Sequence, residues 1–261
     1  MYIFSITRNK IAIDYSYAVF IFFSTLFTYS IHRIVGMDKV KAFAHKGRYA
    51  VIERFKWHII TYGLISCIVL LFLFFQFTIS RQQLIIGSGI ISILYVLPLF
   101  TNKKRLRDIS FIKIFLVAII WSFVTESIPL YESGISTLEI ILLFLERVFF
   151  FIAITIPFDI RDIKVDHTNN VKTLPSLLGA KNAINLSSLL LVFAILLEAY
   201  IYFKFKLFFN GTIALICTYL ISIGLINRYS KKENDYYFSG IFDGLILLPY
   251  LLLLLCNFIL K

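Results

Sequence analysis

Apolar segments of about 20 residues recur along the whole chain, and this repetition constrains the fold more than any other feature. The 261 residues are 59% hydrophobic, with a mean hydropathy of +0.86, which exceeds the apolar share of soluble domains. A bilayer requires about 20 apolar residues in each spanning helix, and its interior admits only helices or closed barrels. The sequence therefore predicts an all-α fold, a polytopic transmembrane helix bundle.

Eight such segments are predicted to span the membrane within a single domain that covers residues 1–261. They run roughly over residues 15–35, 57–79, 84–101, 111–131, 138–158, 183–203, 207–227 and 237–260. Two polar connections, near 36–56 and 159–182, are long enough to form cap segments. The first mixes basic and apolar residues, as interfacial helices do. In the second, we expect Pro175 to open a short helix that Gly179 ends.

The distribution of charge predicts the orientation in the membrane. The formal net charge is +11, from 26 Lys and Arg against 15 Asp and Glu. Most basic residues lie in the connections after predicted spans one, three, five and seven, which the positive-inside rule places in the cytoplasm. We therefore expect membrane lipid and anionic diphosphate groups as partners, and no nucleic acid. The composition is typical of an integral protein of a bacterial inner membrane.

The polar segment after the fifth span holds a set of acidic residues. Asp159, Asp162 and Asp166 lie at positions i, i+3 and i+7, on one face of a helix. Adjacent carboxylates repel each other unless a cation lies between them, and oxygen ligands suit Mg²⁺ that is shared with phosphate groups. The spacing predicts a Mg²⁺–diphosphate site with Lys172 as a phosphate contact. The alternative is a solvated loop in which Arg161 and a neighbouring lysine pair with the acids.

Residues 159–179 resemble the second aspartate-rich motif of the UbiA-type intramembrane prenyltransferase superfamily. Its members are nine-helix bundles in which two such motifs face a cytoplasmic-side cavity beneath a cap of loop helices. The resemblance implies that the eight predicted spans correspond to helices two to nine of that plan. A first helix is then expected before residue 1, or within residues 1–6 as the end of such a helix.

The resemblance also implies an activity: transfer of an isoprenyl group from a prenyl diphosphate to a hydrophobic, quinone-precursor-like aromatic acceptor. Mg²⁺ is the implied cofactor, and the three aspartates are the implied metal ligands and catalytic carboxylates. Lys172 and Arg161 are the implied diphosphate contacts beside them. The segment from Tyr95 to Lys113, which contains Lys103 as a further expected diphosphate contact, resembles the basic cytoplasmic turn of the family.

The chain departs from the superfamily at the first aspartate-rich motif. Uncharged residues replace its asparagine and two of its acids, namely Ser30, Ile31 and Ile34. Asp38 remains and is expected to bind metal, while His32 and Arg33 are expected to bind the diphosphate directly. Two alternatives stay open. These two basic residues mark the membrane interface, or the protein has lost prenyl transfer and binds a lipid or isoprenoid without catalysis.

Charged residues are also predicted within the spans. Arg147 precedes Asp159 by roughly 18 Å along a helix, a depth at which a charge faces the bundle interior or a wet cavity. Asp243 is the predicted partner of Arg147. This pair either lines the substrate cavity or locks two helices together. Glu126 and Glu198 are expected to lie near the outer ends of their spans and to reach water.

Overall fold

A computed structural model describes residues 1–36, 52–98, 105–168, 171–229, 238 and 240–259, which form helices and no strands. The helices are α1 (Tyr2–Arg8), α2 (Tyr15–Gly36), α3 (Lys56–Phe74), α4 (Ile79–Val96), α5 (Ile112–Ser122), α6 (Ile128–Tyr131), α7 (Thr137–Thr168), α8 (Leu174–Phe205), α9 (Phe209–Tyr229) and α10 (Leu248–Ile259). Short 3₁₀ turns cover Leu106–Asp108 and Gly244–Ile246, and a π-helical turn, Phe123–Ser127, joins α5 to α6.

Seven segments of the described helices are long and apolar enough to cross a membrane. They confirm the all-helical transmembrane fold and correspond to the first seven predicted spans. At the predicted eighth span, residues 237–260, the described part contains α10, which has 12 residues. A helix of that length reaches about 18 Å, short of a bilayer core of about 30 Å. Gly244 and Pro249, which flank the entry to α10, favour a turn at this position.

The chain divides into two compact units. One comprises residues 14–109, in which α2 packs against α3 and α4. The other comprises Met1–Ile13 and Ser110–Lys261, in which α7 packs against α5 and α8, and α9 packs against α8 and α10. The helix α7 is the most enclosed of the candidate spans, with 61% of its apolar window buried. That the chain forms a single domain stays a prediction.

The start of α4 differs from the predicted span, which begins at residue 84 rather than 79. Thr78 caps this helix by accepting a hydrogen bond from the Arg81 backbone N–H at 3.3 Å. The Arg81 guanidinium donates to Asp14 at 2.6 Å, and the Gln82 side chain donates to the Phe74 carbonyl, near the end of α3, at 3.1 Å. These polar side chains lie inside the helix because partners satisfy them, which hydropathy cannot reveal.

A proline within α7 is matched by a serine on α8. Pro157 has no N–H, so the carbonyl of Ala153, four residues earlier, loses its helical donor. Ser187 Oγ donates to that carbonyl at 2.6 Å, and both residues are fully buried. An unsatisfied buried carbonyl destabilises a fold, so this interhelical bond holds α8 against α7 six residues before Asp159.

We expect Ser187→Ala to lower the free energy of unfolding in detergent by about 1 kcal/mol, since an interhelical hydrogen bond in a membrane bundle contributes about that amount. The measurement is the thermal midpoint of the purified protein. Ser188→Ala is the matched control, because Ser188 accepts a bond from Asn227 in an exposed position. Equal midpoints for the two variants would contradict the role assigned to Ser187.

Candidate active site at the aspartate-rich motif

The three predicted carboxylates lie on the last turns of α7. Because this helix continues without interruption to Thr168, Asp159, Asp162 and Asp166 share one helix, as the spacing predicts. Asp159 is fully buried, whereas the other two are partly exposed. The helix includes His167 and Thr168, and residues 169–170 lie outside the described part.

A lysine from α5 contacts two of these carboxylates. The Lys113 ammonium lies 2.7 Å from Asp159 Oδ1 and 3.4 Å from Asp166 Oδ2. The contact with Asp159 is an ion pair rather than a hydrogen bond of good geometry, and Oδ1 is a buried atom without a hydrogen-bond donor. Two motif carboxylates therefore converge on one cationic position.

The third carboxylate pairs with its neighbour along the chain. Arg161 Nε donates to Asp162 Oδ1 at 2.8 Å, and a second guanidinium nitrogen donates to Oδ2 at 3.2 Å. The same guanidinium lies over the rings of Phe158 and Phe238, 5.2 Å from each centroid. Ring faces and a bidentate carboxylate together fix the orientation of this arginine.

The segment after the motif is tied to the start of α5. The Phe111 N–H donates to the Lys172 carbonyl at 3.0 Å, and the Lys172 N–H donates to Ser110 Oγ at 3.4 Å. The Lys172 side chain is exposed. The predicted short helix is confirmed: Pro175 lies in its first turn, and Gly179, at φ 78°, interrupts α8 with a non-helical conformation.

The donor set at this end of α7 fits a hard divalent cation. Asp159 and Asp166 already face one positive group, and Asp162 lies one turn of helix away from each. Carboxylate oxygens are the ligands that Mg²⁺ takes when it is shared with phosphate. The described residues contain no group of three or more His, Cys, Asp or Glu side chains that is arranged to hold a metal by itself.

The first-motif segment lies in the other unit, at the end of α2. Ser30 is buried and packs against Gly63 of α3, where an added Cβ would lie 3.4 Å from the Ser30 Cβ. His32 contacts Arg107, and Arg33 lies over the Tyr29 ring at 5.0 Å. Arg107 also lies over Tyr95, at 5.2 Å. The structure thus brings His32 close to the turn that resembles the basic cytoplasmic turn of the family.

Two predicted site residues, Asp38 and Lys103, lie outside the described residues, as does most of the predicted interfacial segment at residues 36–56. The predicted roles of both residues, and of His32 and Arg33 toward a diphosphate, stay predictions.

Arg147 does not pair with Asp243, and that expectation is wrong. One guanidinium nitrogen of Arg147 lies 3.3 Å from Glu126 and 3.7 Å from Glu146. Asp243 instead is exposed, in the segment that precedes α10. The π-helical turn places Glu126 against α7, so a carboxylate on a neighbouring element reaches Arg147 first. A role for Arg147 or Asp243 toward the substrate stays a prediction.

The expectation that Glu126 and Glu198 reach water is also wrong, because both are fully buried. Glu198 accepts two hydrogen bonds from Arg8, at 2.7 and 2.6 Å, and Glu126 accepts one from Ser5. Together with the Glu146–Arg147 pair they form a buried charge cluster of three carboxylates and two guanidinium groups, Arg8, Glu126, Glu146, Arg147 and Glu198. Buried charges persist only when they are paired in this way.

The sequence patterns identify the aspartate-rich motif but not the residues that contact the predicted site residues and the buried glutamates. Lys113 was grouped with a basic loop, although its place directly before the apolar run of α5 puts it on a helix. The contacts of Arg107 with His32 and of Arg8 with Glu198 are not predictable from local patterns, because the partners lie 75 and 190 residues apart in sequence.

Comparison with known proteins relates the chain to one family and to two solved structures. The model of the UbiA prenyltransferase family matches residues 46–242. A UbiA homolog from Archaeoglobus fulgidus bound to GPP and Mg²⁺ superposes with a TM-score of 0.70 at 14% identity, over 97% of this chain and 90% of that one. A digeranylgeranylglyceryl phosphate synthase superposes with a TM-score of 0.61 at 18% identity, over 97% and 89%. No curated protein matches the sequence.

Proposed function

Because the chain belongs to the UbiA prenyltransferase family and is an integral membrane protein, we propose that it transfers an isoprenyl group from a prenyl diphosphate to a hydrophobic acceptor. The observation that carries this proposal is the convergence of Asp159 and Asp166 on one cationic position at the end of α7. The bound GPP and Mg²⁺ of the Archaeoglobus fulgidus homolog support a prenyl diphosphate as the donor.

The residues that would hold Mg²⁺ are Asp159, Asp162 and Asp166. When bound there, the ion supplies charge neutralisation to the diphosphate leaving group. Lys172, whose ammonium is exposed beside the motif, contacts a diphosphate oxygen as a point charge. Arg161, held by Asp162 and two rings, directs its remaining N–H donors toward the same oxygens.

Aromatic rings beside the motif suit the chemistry of an allylic donor. Phe158, Phe238 and Phe242 pack together, with ring centroids 5.4 to 6.0 Å apart. When the bond between the allylic carbon and the diphosphate oxygen breaks, positive charge develops on the carbon, and ring faces stabilise it. The acceptor carbon then forms a bond to this carbon and releases a proton, so diphosphate and the prenylated acceptor leave.

We assign an aromatic, quinone-precursor-like acceptor, because a ring carbon activated by a hydroxyl group attacks an allylic cation readily. We also place the motif on the cytoplasmic face of a bacterial inner membrane. This placement is supported by the basic residues concentrated in the same set of connections as the motif.

A second candidate function, binding of an isoprenoid without transfer, is favoured by two observations. Ile31 and Ile34 occupy acidic positions of the first motif, and Lys113 already neutralises charge in the second. This candidate predicts tight binding of prenyl diphosphate that needs little Mg²⁺ and releases no pyrophosphate.

The two candidates are separated by incubating the detergent-purified protein with farnesyl or geranylgeranyl diphosphate, with and without Mg²⁺, and a pool of hydroxylated aromatic acceptors. We expect pyrophosphate release that requires both Mg²⁺ and an acceptor. Binding without release, across acceptors of several classes, would instead support the non-catalytic candidate. Neither binding nor release with any prenyl length would overturn both.

A further inference from the structure

Lys113 lies outside the aspartate-rich motif in sequence, but in the fold it contacts two of the motif's carboxylates. It is the second residue of α5, and its ammonium contacts Asp159 and Asp166, which are seven residues apart on α7. All three side chains are largely buried, with exposed fractions of 12%, 2% and 14%. In such surroundings a cation interacts with carboxylates far more strongly than it does in water.

One feature of the local structure opposes a lysine at this position. The positive end of the helix dipole lies at the first turn of α5, where a cation is unfavourable. The aspartates offset this cost by pairing with the Lys113 ammonium. The start of α5 is itself held in place by its N-cap residue, Phe111, whose N–H donates to the Lys172 carbonyl.

The position of the ammonium has a consequence for metal binding. A divalent cation that used both Asp159 and Asp166 would occupy the space where the Lys113 ammonium lies, or would lie close to it and be repelled. Asp162 does not relieve this conflict, because Arg161 holds it. A free metal ion therefore meets two carboxylates that already share the positive charge of one ammonium.

We propose that Lys113 is a positioning residue that competes with divalent cations for Asp159 and Asp166, so that metal binds weakly alone and enters together with diphosphate. When a metal–diphosphate complex arrives, its oxygens give the ammonium an alternative anionic partner, and the carboxylates become available to the metal. This inference rests on the proposed function for its biological meaning, but the competition itself concerns this chain and a divalent ion alone.

The competition is tested with Mn²⁺, whose binding to the full-length protein in detergent is measured by electron paramagnetic resonance without any diphosphate. We expect Lys113→Met to bind Mn²⁺ at least tenfold more tightly than the wild-type protein, and Lys113→Arg to restore weak binding because it restores the charge. Lys181→Met is the matched control, since Lys181 is exposed in α8 and its loss should leave the affinity unchanged. Lys113→Gln provides a second charge-removing variant if the methionine variant does not fold.

A second titration uses Mg²⁺ premixed with inorganic pyrophosphate and follows the heat of binding. The wild-type protein is expected to bind this complex while binding Mg²⁺ alone poorly. Equal Mn²⁺ affinities for the wild-type protein and both charge-removing variants would overturn the proposal, as would a gain of the same size in Lys181→Met. If the Mn²⁺ result holds but no prenyl diphosphate is consumed, the proposed function fails and the competition stands.

Discussion

The Asp162→Asn variant is expected to consume a prenyl diphosphate about 100-fold more slowly than the wild-type protein. It loses a carboxylate ligand of the Mg²⁺ ion whose charge would stabilise the diphosphate leaving group. Electrostatics alone predicts the opposite direction for binding. Asp162 pairs with Arg161, so removing the carboxylate frees a guanidinium and makes the site more attractive to an anion. A loss of activity that is not accompanied by tighter binding of the donor would therefore show that Asp162 acts through metal rather than through neutralisation of Arg161.

The measurement is the initial rate of pyrophosphate release at saturating Mg²⁺, with donor affinity measured in parallel. Glu132→Gln is the matched control, since Glu132 is exposed and precedes α7, in which Thr137 and Asp162 are separated by about 38 Å of helix rise. The sequence suggests Glu198→Gln as a control because Glu198 is expected to reach water, but this variant is unsuitable because Glu198 is buried against Arg8. Equal rates for Asp162→Asn and Glu132→Gln would remove Asp162 from the site.

Arg8→Met is expected to destabilise the protein by about 3 to 5 kcal/mol, since breaking a buried ion pair leaves an uncompensated charge. Arg8 and Glu198 are both fully buried and lie 2.6 Å apart. Without Arg8, the buried charge cluster would hold three carboxylates against the single guanidinium of Arg147. The neighbouring backbone packs closely on the Arg8 side chain, since a Cβ added at Gly211 would lie 2.8 Å from the Arg8 Cγ. The surrounding residues therefore have little room to rearrange around the unpaired carboxylates.

The double variant Arg8→Met, Glu198→Met tests this prediction more sharply than either single change. It removes the two charges together and replaces them with apolar side chains, so most of the lost stability should return. The yield of monodisperse protein and its thermal midpoint in detergent are the measurements. If the losses of stability in Arg8→Met and in Glu198→Met simply add in the double variant, the interaction between the two side chains does not contribute to stability.

Hydropathy and motif spacing were sufficient to predict seven of the candidate spans and the helix that carries the aspartates. A spanning helix depends on local composition, and the shared face of Asp159, Asp162 and Asp166 follows from helical geometry alone. The break at Gly179 was also predictable, since glycine adopts the positive φ of 78° without strain.

The partners of the buried charges were not predictable, because they depend on which helices are neighbours. Glu198 and Glu126 were expected to reach water on the basis of their depth, yet guanidinium and hydroxyl groups from α1 and α7 satisfy them inside the bundle. Lys113 shows the same limitation. Its position was visible in the sequence, but its contact with Asp159, 46 residues later, requires the packing of α5 on α7.

The most direct test of prenyl transfer follows the carbon chain itself. Purified protein is incubated with Mg²⁺, a radiolabelled prenyl diphosphate and a hydroxylated aromatic acceptor, and the organic extract is analysed for label by chromatography. We expect a labelled hydrophobic product in an amount equal to the pyrophosphate released, and none from Asp162→Asn in the same time. Label that stays on the diphosphate while the wild-type protein binds it tightly, with every acceptor offered, would contradict prenyl transfer as the activity of this chain.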